Sequence, residues 1–390
     1  MHKPVKLSIT LETLTPIHIG CDDYFQPTEF VIDTTEKVLI KFSIYDLIPL
    51  LNDKERAELE RISEARGLLG LVRLYRFYKE RLQEKIKKLP NVKKIKIPDE
   101  LSKRYEEFLK LNDEKKIREN FNNFEIPRTF FNPFTDQPII PGSSLKGSIR
   151  TAYLEIELKK SQGKIKVQEL LNKIMNINTE TKKSDIDKLS QELEKELLEY
   201  PSLQRDPFKY LKISDLTPIN RVDTQIMYQV NVRKSGNRFA RGITRPIEVI
   251  PAGVQFYGEM DFVIPQNIPE DQPKLKFAYF LEGLHTHFEP ILNEEESLAK
   301  SLGFQKLKVT EKHLKLYKEK KGFFIKIGKH SGAEAVTIEG VRRILIRLTG
   351  NRKEYRDSPT TIWLASPKQK DISMAYPFGW AFMTIEKKKI

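Results

Sequence analysis

An α+β fold is what this sequence predicts, and three observations lead there. Short β-branched runs recur along the chain and carry the period-two signature of strands. Two helical stretches stand out among them, one opening at Gly142 and one running from Leu275 to about Leu302. Taken in order, the strand at Val5, the helix at Gly142, the strands at Phe208 and Gly253, the helix at Leu275 and a closing strand after Gly332 make a split β-α-β, ferredoxin-like order.

Val5 to Leu14 alternates as a strand should. Glu29 to Asp33 and Val38 to Ser43 flank Thr34-Thr35-Glu36-Lys37 and predict a hairpin. From Ile44 to about Leu89 the apolar spacing turns helical, with Leu68, Leu71, Val72 and Tyr75 on one face. Asn132-Pro133 and Pro138 mark a loop, and Pro141-Gly142 opens a helix reaching about Lys160. Residues 161–205 are Lys/Glu-rich and helical, a peripheral insertion. Phe208 to Leu216, Met227 to Arg233, Gly253 to Ile264, Gly322 to Ile327 and Trp380 to Glu386 predict strands. Two modules are expected: an N-terminal half, 1–205, interrupted by insertions at about 44–130 and 161–205, and a β-rich C-terminal half, 206–390.

Lys and Arg together number 68 against 54 Asp and Glu in 390 residues, a net charge of +14. That permits a polyanionic partner without requiring one. Cys21 is the only cysteine, which excludes an intrachain disulfide and a cysteine-based zinc site. Met1 to Thr10 does not have the apolar core of a signal peptide, and no apolar run approaches the ~20 residues that cross a bilayer. A cytoplasmic protein is expected, with no cofactor.

Where the cations cluster matters more than their sum. PGSSLKGSIR, Pro141 to Arg150, sets Gly142 and Gly147 around Ser143 and Ser144 at a helix start. Either serine could cap the helix, the glycines would let an anion approach the backbone, and Lys146 and Arg150 fall on one helix face. It is not a Walker A loop, because Lys146 precedes Gly147. An ordinary capped helix start explains the same residues. GKHSGAE, Gly328 to Glu334, is a second glycine-bearing loop, in which Lys329 and His330 could meet a phosphate or a base edge. Asn231 to Arg245 carries Arg233, Lys234, Arg238, Arg241 and Arg245 without an acid, with Tyr228 and Phe239 as π-faces, the composition that single-strand binding uses. Arg342, Arg343, Arg347, Arg352 and Arg356 form a further basic run. Arg73 to Lys96 holds ten basic residues against two acidic ones, which a solvated helix face or an RNA contact would both explain.

Several of these segments, in order, resemble the RAMP superfamily of CRISPR-associated proteins. They are LTPIHIG (Leu14 to Gly20), IIPGSSLKGSIRTA (Ile139 to Ala152), LKISD (Leu211 to Asp215), RPIEVIPAGVQFYGEM (Arg245 to Met260), FLEGL (Phe280 to Leu284), the loop from Gly328 to Gly332, and PFGW (Pro377 to Trp380). The likeness is greatest to the type III-A Csm-complex subunits that sit at the 3′ end of the guide RNA. It implies RRM-like RAMP modules with glycine-rich loops, and RNA-backbone contacts at Gly142, Ser143, Ser144, Lys146, Gly147 and Arg150, and at Lys329, His330 and Gly332. The loop from Arg233 to Arg245 then looks like the thumb that such subunits press against the guide. The partners implied are guide RNA (crRNA), sibling Csm subunits, above all the backbone RAMP subunit, and a cellular nuclease for 3′ trimming, with no membrane.

Catalysis has two candidate sites. Asp22 and Asp23 form a carboxylate pair expected in a loop, and such pairs can ligate Mg2+. His18, at the end of the first strand, could serve as acid or base in metal-free RNA cleavage, as histidine does in the repeat-cleaving RAMP endonucleases. His285 and His287, two apart on a helix, face apart and cannot share a metal. A non-catalytic guide-RNA subunit is the reading adopted; an RNA-processing endonuclease and a general single-strand RNA binder are the alternatives.

Overall fold

The computed structural model describes residues 5–65, 67–121, 123–236, 239–240, 244–262, 275–347 and 352–387. Its first sheet is antiparallel and runs, edge to edge, Gly322–Lys326, Trp380–Lys387, Val5–Thr13, Gln255–Phe262 and Leu211–Ile213, with Thr217–Pro218 pairing to Gln255–Phe262. Alternation in the first strand sets one face: Leu7, Ile9 and Leu11 are buried, while Lys6, Ser8 and Thr10 are not. Leu7 lies opposite Met260, and Leu11 lies between Phe256 and Met383. The helices Gly142–Ser161 and Phe277–Leu302 share one core cluster with that face. At their crossing a Cβ on Gly283 would stand 2.6 Å from the Ala152 carbonyl oxygen, so glycine lets the helices touch backbone to backbone. The expected six elements thus lie together, with Gly322–Lys326 added as an edge strand.

The second sheet runs Tyr376–Pro377, Thr361–Ser366, Gln225–Arg233, Lys93–Lys96, Val38–Lys41 and Phe30–Asp33, with Arg245–Val249 also paired to Gln225–Arg233. Tyr75, Tyr105, Phe108 and Phe124 fill the core on one side of its hairpin with Phe30, Ile32 and Leu39. Both sheets draw strands from either side of residue 205. Lys93–Lys96, inside the segment expected as a helical insertion, is one of those strands. The helices Ile165–Met175 and Lys183–Leu197 send Val167, Leu170, Leu193 and Leu197 into the first core, so the polar stretch is packed as well as appended.

Other local expectations are corrected. Phe208 belongs to a 3-10 turn, Pro207–Tyr210, and only Leu211–Ile213 is strand. Asp22 and Asp23 lie on a short strand, Gly20–Tyr24, paired with Pro127–Thr129. The run from Arg342 holds a hairpin, Ile344–Arg347 with Lys353–Arg356. Tyr228 offers no π-face, being wholly buried in the second core. Many cations of Arg73 to Lys96 serve the fold itself. Arg76 donates to the Leu109 carbonyl, Lys79 to Thr34, and Lys87 and Lys94 pair with Asp33 and Glu36. Among the described residues no helix is long and apolar enough to cross a membrane.

The buried Glu295 carboxylate joins the main layers. It pairs with the Lys326 ammonium and accepts the Trp380 indole N–H at 2.7 Å. Glu295→Ala would strand an ammonium whose side chain is 1% exposed. The expected cost is about 3–5 kcal/mol, read as a lowered midpoint in urea unfolding. A change under about 1 kcal/mol would show that the pair does not hold the layers together.

Candidate nucleic-acid interface

Two glycine-bearing segments, distant in sequence, face each other across a groove of about 410 Å3. Ser143, Ser144 and Gly147 from the helix Gly142–Ser161 form one wall, and Gly20, Gly328 and Lys329 form the other. Pro141 sets the turn into the helix, and Ile140 exchanges both backbone hydrogen bonds with Leu216. Neither serine caps the helix. That role falls to Asp215, whose Oδ1 accepts the Gly142 N–H at 2.9 Å. Gly142 is pressed so close to the neighbouring strand that a Cβ would lie 2.3 Å from the Ile213 carbonyl oxygen. Gly147 is the opposite case: a Cβ there would meet nothing within 4 Å. Its bareness leaves room in the groove and relieves no contact within the protein. Ser148 donates to the Lys326 carbonyl at 2.7 Å and ties the helix to the edge strand below.

The facing loop is held by the backbone. Gly328 has φ +86°, and a Cβ would stand 2.6 Å from the His18 carbonyl oxygen, which instead accepts the Lys329 N–H at 2.8 Å. Gly332, also at positive φ, closes the loop, and Ser331 donates to the Gly328 carbonyl. Lys329 is exposed, and its stem passes 3.6 Å from the Cβ position of Gly20. Two serine side chains, a bare glycine and an exposed ammonium therefore converge on one groove, an arrangement that suits an anion held by its oxygens.

Other expected contacts lie elsewhere. Lys146 and Arg150 do share a helix face, but that face packs inward. Lys146 donates to the Leu211 carbonyl at 2.8 Å, and burial beside Lys212 lowers its pKa. Arg150 lies over Phe208 and pairs with Glu194 and Asp206. Lys234 pairs with Glu294 and Glu334. His330 does not reach the groove either; its ring packs at 4.7 Å from Trp363 and 5.3 Å from Phe378. Arg233 is exposed at the end of its strand, Phe239 is exposed beyond it, and Arg245 is close enough to act electrostatically on both His18 and His330. Arg238 and Arg241 lie outside the described residues.

Sequence reading missed the polar frame behind the groove. Glu248 is buried, accepts from the Thr129 amide and the Thr224 hydroxyl, and lies 3.6 Å from both Lys93 and Arg128. Arg128 is clamped over Phe131 and pairs with Asp136. The one usable signal was Glu248 as a lone acid in the β-branched run RPIEVI.

The catalytic candidates are poorly placed for chemistry. His18 is buried, its Nδ1 is 2.7 Å from the Glu248 carbonyl oxygen, and its pKa is pushed down to about 4, chiefly by burial. Asp22 and Asp23 are not joined by a third ligand: among the described residues no group of three His, Cys, Asp or Glu could hold a metal ion. His285 and His287 diverge as expected, His287 to Glu155 and Ala335, His285 onto Tyr317 and Phe323.

Burial also pushes the His330 pKa down, to about 3, with His18, Lys329 and Arg245 adding to the effect. Both rings are neutral in the folded protein and would take a proton near their ordinary value of 6.5 once unfolded. Stability is then complete above that value and falls as pH drops towards the folded values, by up to about 1.4 kcal/mol per pH unit for each ring. Urea midpoints should fall between about pH 7 and pH 5, and His330→Leu should flatten the decline. A midpoint unchanged over that interval would contradict the lowered pKa of both rings.

A RAMP superfamily model matches residues 10–328. A Methanocaldococcus jannaschii protein named CRISPR system Cms protein Csm5 is 27% identical over 216 residues, 55% of this chain and 44% of that protein, so the chain spans under half the length of that relative. A chain from the cryo-EM structure of a Csm–crRNA–target RNA ternary complex in a type III-A CRISPR-Cas system superposes with a TM-score of 0.54 at 17% identity, covering 97% of this chain and 100% of that one. The crystal structure of T. onnurineus Csm5 gives 0.50 at 16% identity, covering 95% and 99%. At such identities these structures speak for the fold, whereas the family model spans both walls of the groove as far as Gly328: the chain belongs to the RAMP superfamily.

Proposed function

We propose that this chain is a non-catalytic subunit of a type III-A CRISPR effector complex that holds guide RNA by its backbone at the 3′ end and supports guide maturation in antiviral defence. Membership of the RAMP superfamily and the likeness to proteins named as Csm5 support the assembly. The observation that carries the RNA reading is the groove itself, with bare Gly147 and the side chains of Ser143 and Ser144 opposite exposed Lys329. Serine hydroxyls and a lone ammonium that meet phosphates carry no base code, so binding should be independent of sequence. The basic segment containing Arg233, Arg238, Arg241 and Arg245 is the second contact in this reading. Sibling subunits, above all the backbone RAMP subunit, flank the chain, and a cellular nuclease trims the guide beyond it.

Gly147→Val separates binding from folding. Valine has space, and helix propensity favours it over glycine by a few tenths of a kcal/mol, so the melting temperature should hold or rise. Affinity for single-stranded RNA should fall at least tenfold, and Lys329→Ala should flatten the log–log salt dependence by about 0.7. Wild-type affinity in the folded double variant would refute the groove as the RNA seat.

The endonuclease alternative needs a histidine that exchanges protons near neutrality. His18 is buried, His330 is half-buried, and burial lowers the pKa of both rings, which favours the non-catalytic reading. Repeat, guide and target RNA should all survive incubation with pure protein, in EDTA or in Mg2+. Specific cleavage lost in His18→Ala with binding retained would reverse the assignment.

A further inference from the structure

Phe134 is 95% exposed, yet the turn that carries it is well braced. The Asn132 side-chain oxygen accepts from the Phe134 and Thr135 amides at 2.9 and 3.3 Å. Its backbone carbonyl accepts from Asp136 at 2.8 Å, and its N–H donates to the Gln137 carbonyl at 2.9 Å. The Asp136 carboxylate is drawn back by Lys41, Lys93 and Arg128. A ring in water on a braced turn is presented, and its neighbours indicate to what. Phe134 stands at a cleft of about 630 Å3 shared with Asn91, Thr135, Ile219, Asn220 and Arg221. Ile219 is 52% exposed, and exposed Arg221 makes no hydrogen bond or ion pair among the described residues. An apolar protein ligand would bury those amides and the hydroxyl unpaired, which is costly. A nucleotide offers each group a partner: a π-face for Phe134, donors and acceptors for the amides, and a phosphate for Arg221.

The placement fits a strand lying in the groove. Both legs of this hairpin start beside it: Phe130 donates to the Ile19 carbonyl at 2.7 Å, and Ile140 precedes the turn into the helix at Gly142. Thr129 pairs with Gly20 on the groove wall, and Phe134 is five residues further on, about 17 Å of chain at most. We propose that Phe134 is a stacking platform for one unpaired base of the same single-stranded RNA whose backbone occupies the groove, with Arg221 on the adjoining phosphate. This inference rests on the RNA-binding reading above.

The test uses the full chain, a single-stranded RNA oligonucleotide, and an oligonucleotide of equal length with abasic riboses. Base–aromatic stacking corresponds to roughly a fivefold to hundredfold change in affinity. Phe134→Ala should weaken binding of the base-bearing strand by about fivefold or more and leave the abasic strand unchanged. Phe134→Trp should keep wild-type affinity, and its added emission should be quenched by the base-bearing strand alone. If Phe134→Ala binds both strands like wild type while Gly147→Val loses RNA, the platform is refuted and the groove stands. Normal RNA binding by Phe134→Ala with failure to join sibling subunits makes the cleft a protein contact and also refutes the platform. Wild-type binding by both variants would refute groove and platform together.

Discussion

The buried carboxylate of Glu295 is the constraint on which the groove depends. By pairing with Lys326 and accepting from Trp380, it fixes the helix Phe277–Leu302 to the edge strand and to the closing strand of the first sheet. The groove is built on Lys326 itself and on the residues that follow it. The Lys326 carbonyl accepts from Ser148 and so seats the helix at Gly142; two residues later the chain turns at Gly328 over His18; and Gly379, beside Trp380, donates to the Pro16 carbonyl at 3.0 Å. A buried ion pair adds little net stability over well-packed apolar groups, but it does not tolerate a missing partner. Four segments from opposite ends of the chain are thereby held in one register.

Charge is divided between fold and surface. Much of the basic excess is used internally: Lys146 on a carbonyl, Arg150 and Lys234 in ion pairs, Arg128 and Lys93 around Glu248, and Arg343 on the carbonyls of Met175 and Ile177. Lys329 at the groove and Arg221 at the cleft are left facing solvent. That division is why a net charge of +14 did not by itself locate an interface.

How much of this was legible followed the range of the interactions. The strand Val5–Thr13, the hairpin near Asp33 and both long helices carry their own periodicity and were read correctly. The strand Lys93–Lys96 was hidden because only Ile95 in KKIK is apolar, and its place is set by neighbours on both sides. In the candidate site the glycine–serine helix start was visible, and so was the shared face of Lys146 and Arg150. That this face turns towards Leu211 and Asp206 depends on segments some sixty residues away in sequence. The same holds for Asp215 as the cap in place of either serine, and for His330, whose polar letter in GKHSG concealed a ring packed on Trp363 and Phe378. The family resemblance found the two walls but could not say which side chains face the space between them.

The central claim is that RNA lies between the 142–148 helix start and the 328–332 loop. Photocrosslinking of the full chain to single-stranded RNA carrying 4-thiouridine, followed by peptide mapping, tests it most directly. The account predicts crosslinks in the peptides bearing Ser143 to Gly147 and Gly328 to Lys329, suppressed by excess unlabelled RNA of any sequence. Crosslinks confined to the Ile165–Met175 and Lys183–Leu197 helices, with both groove peptides unmodified, would contradict it.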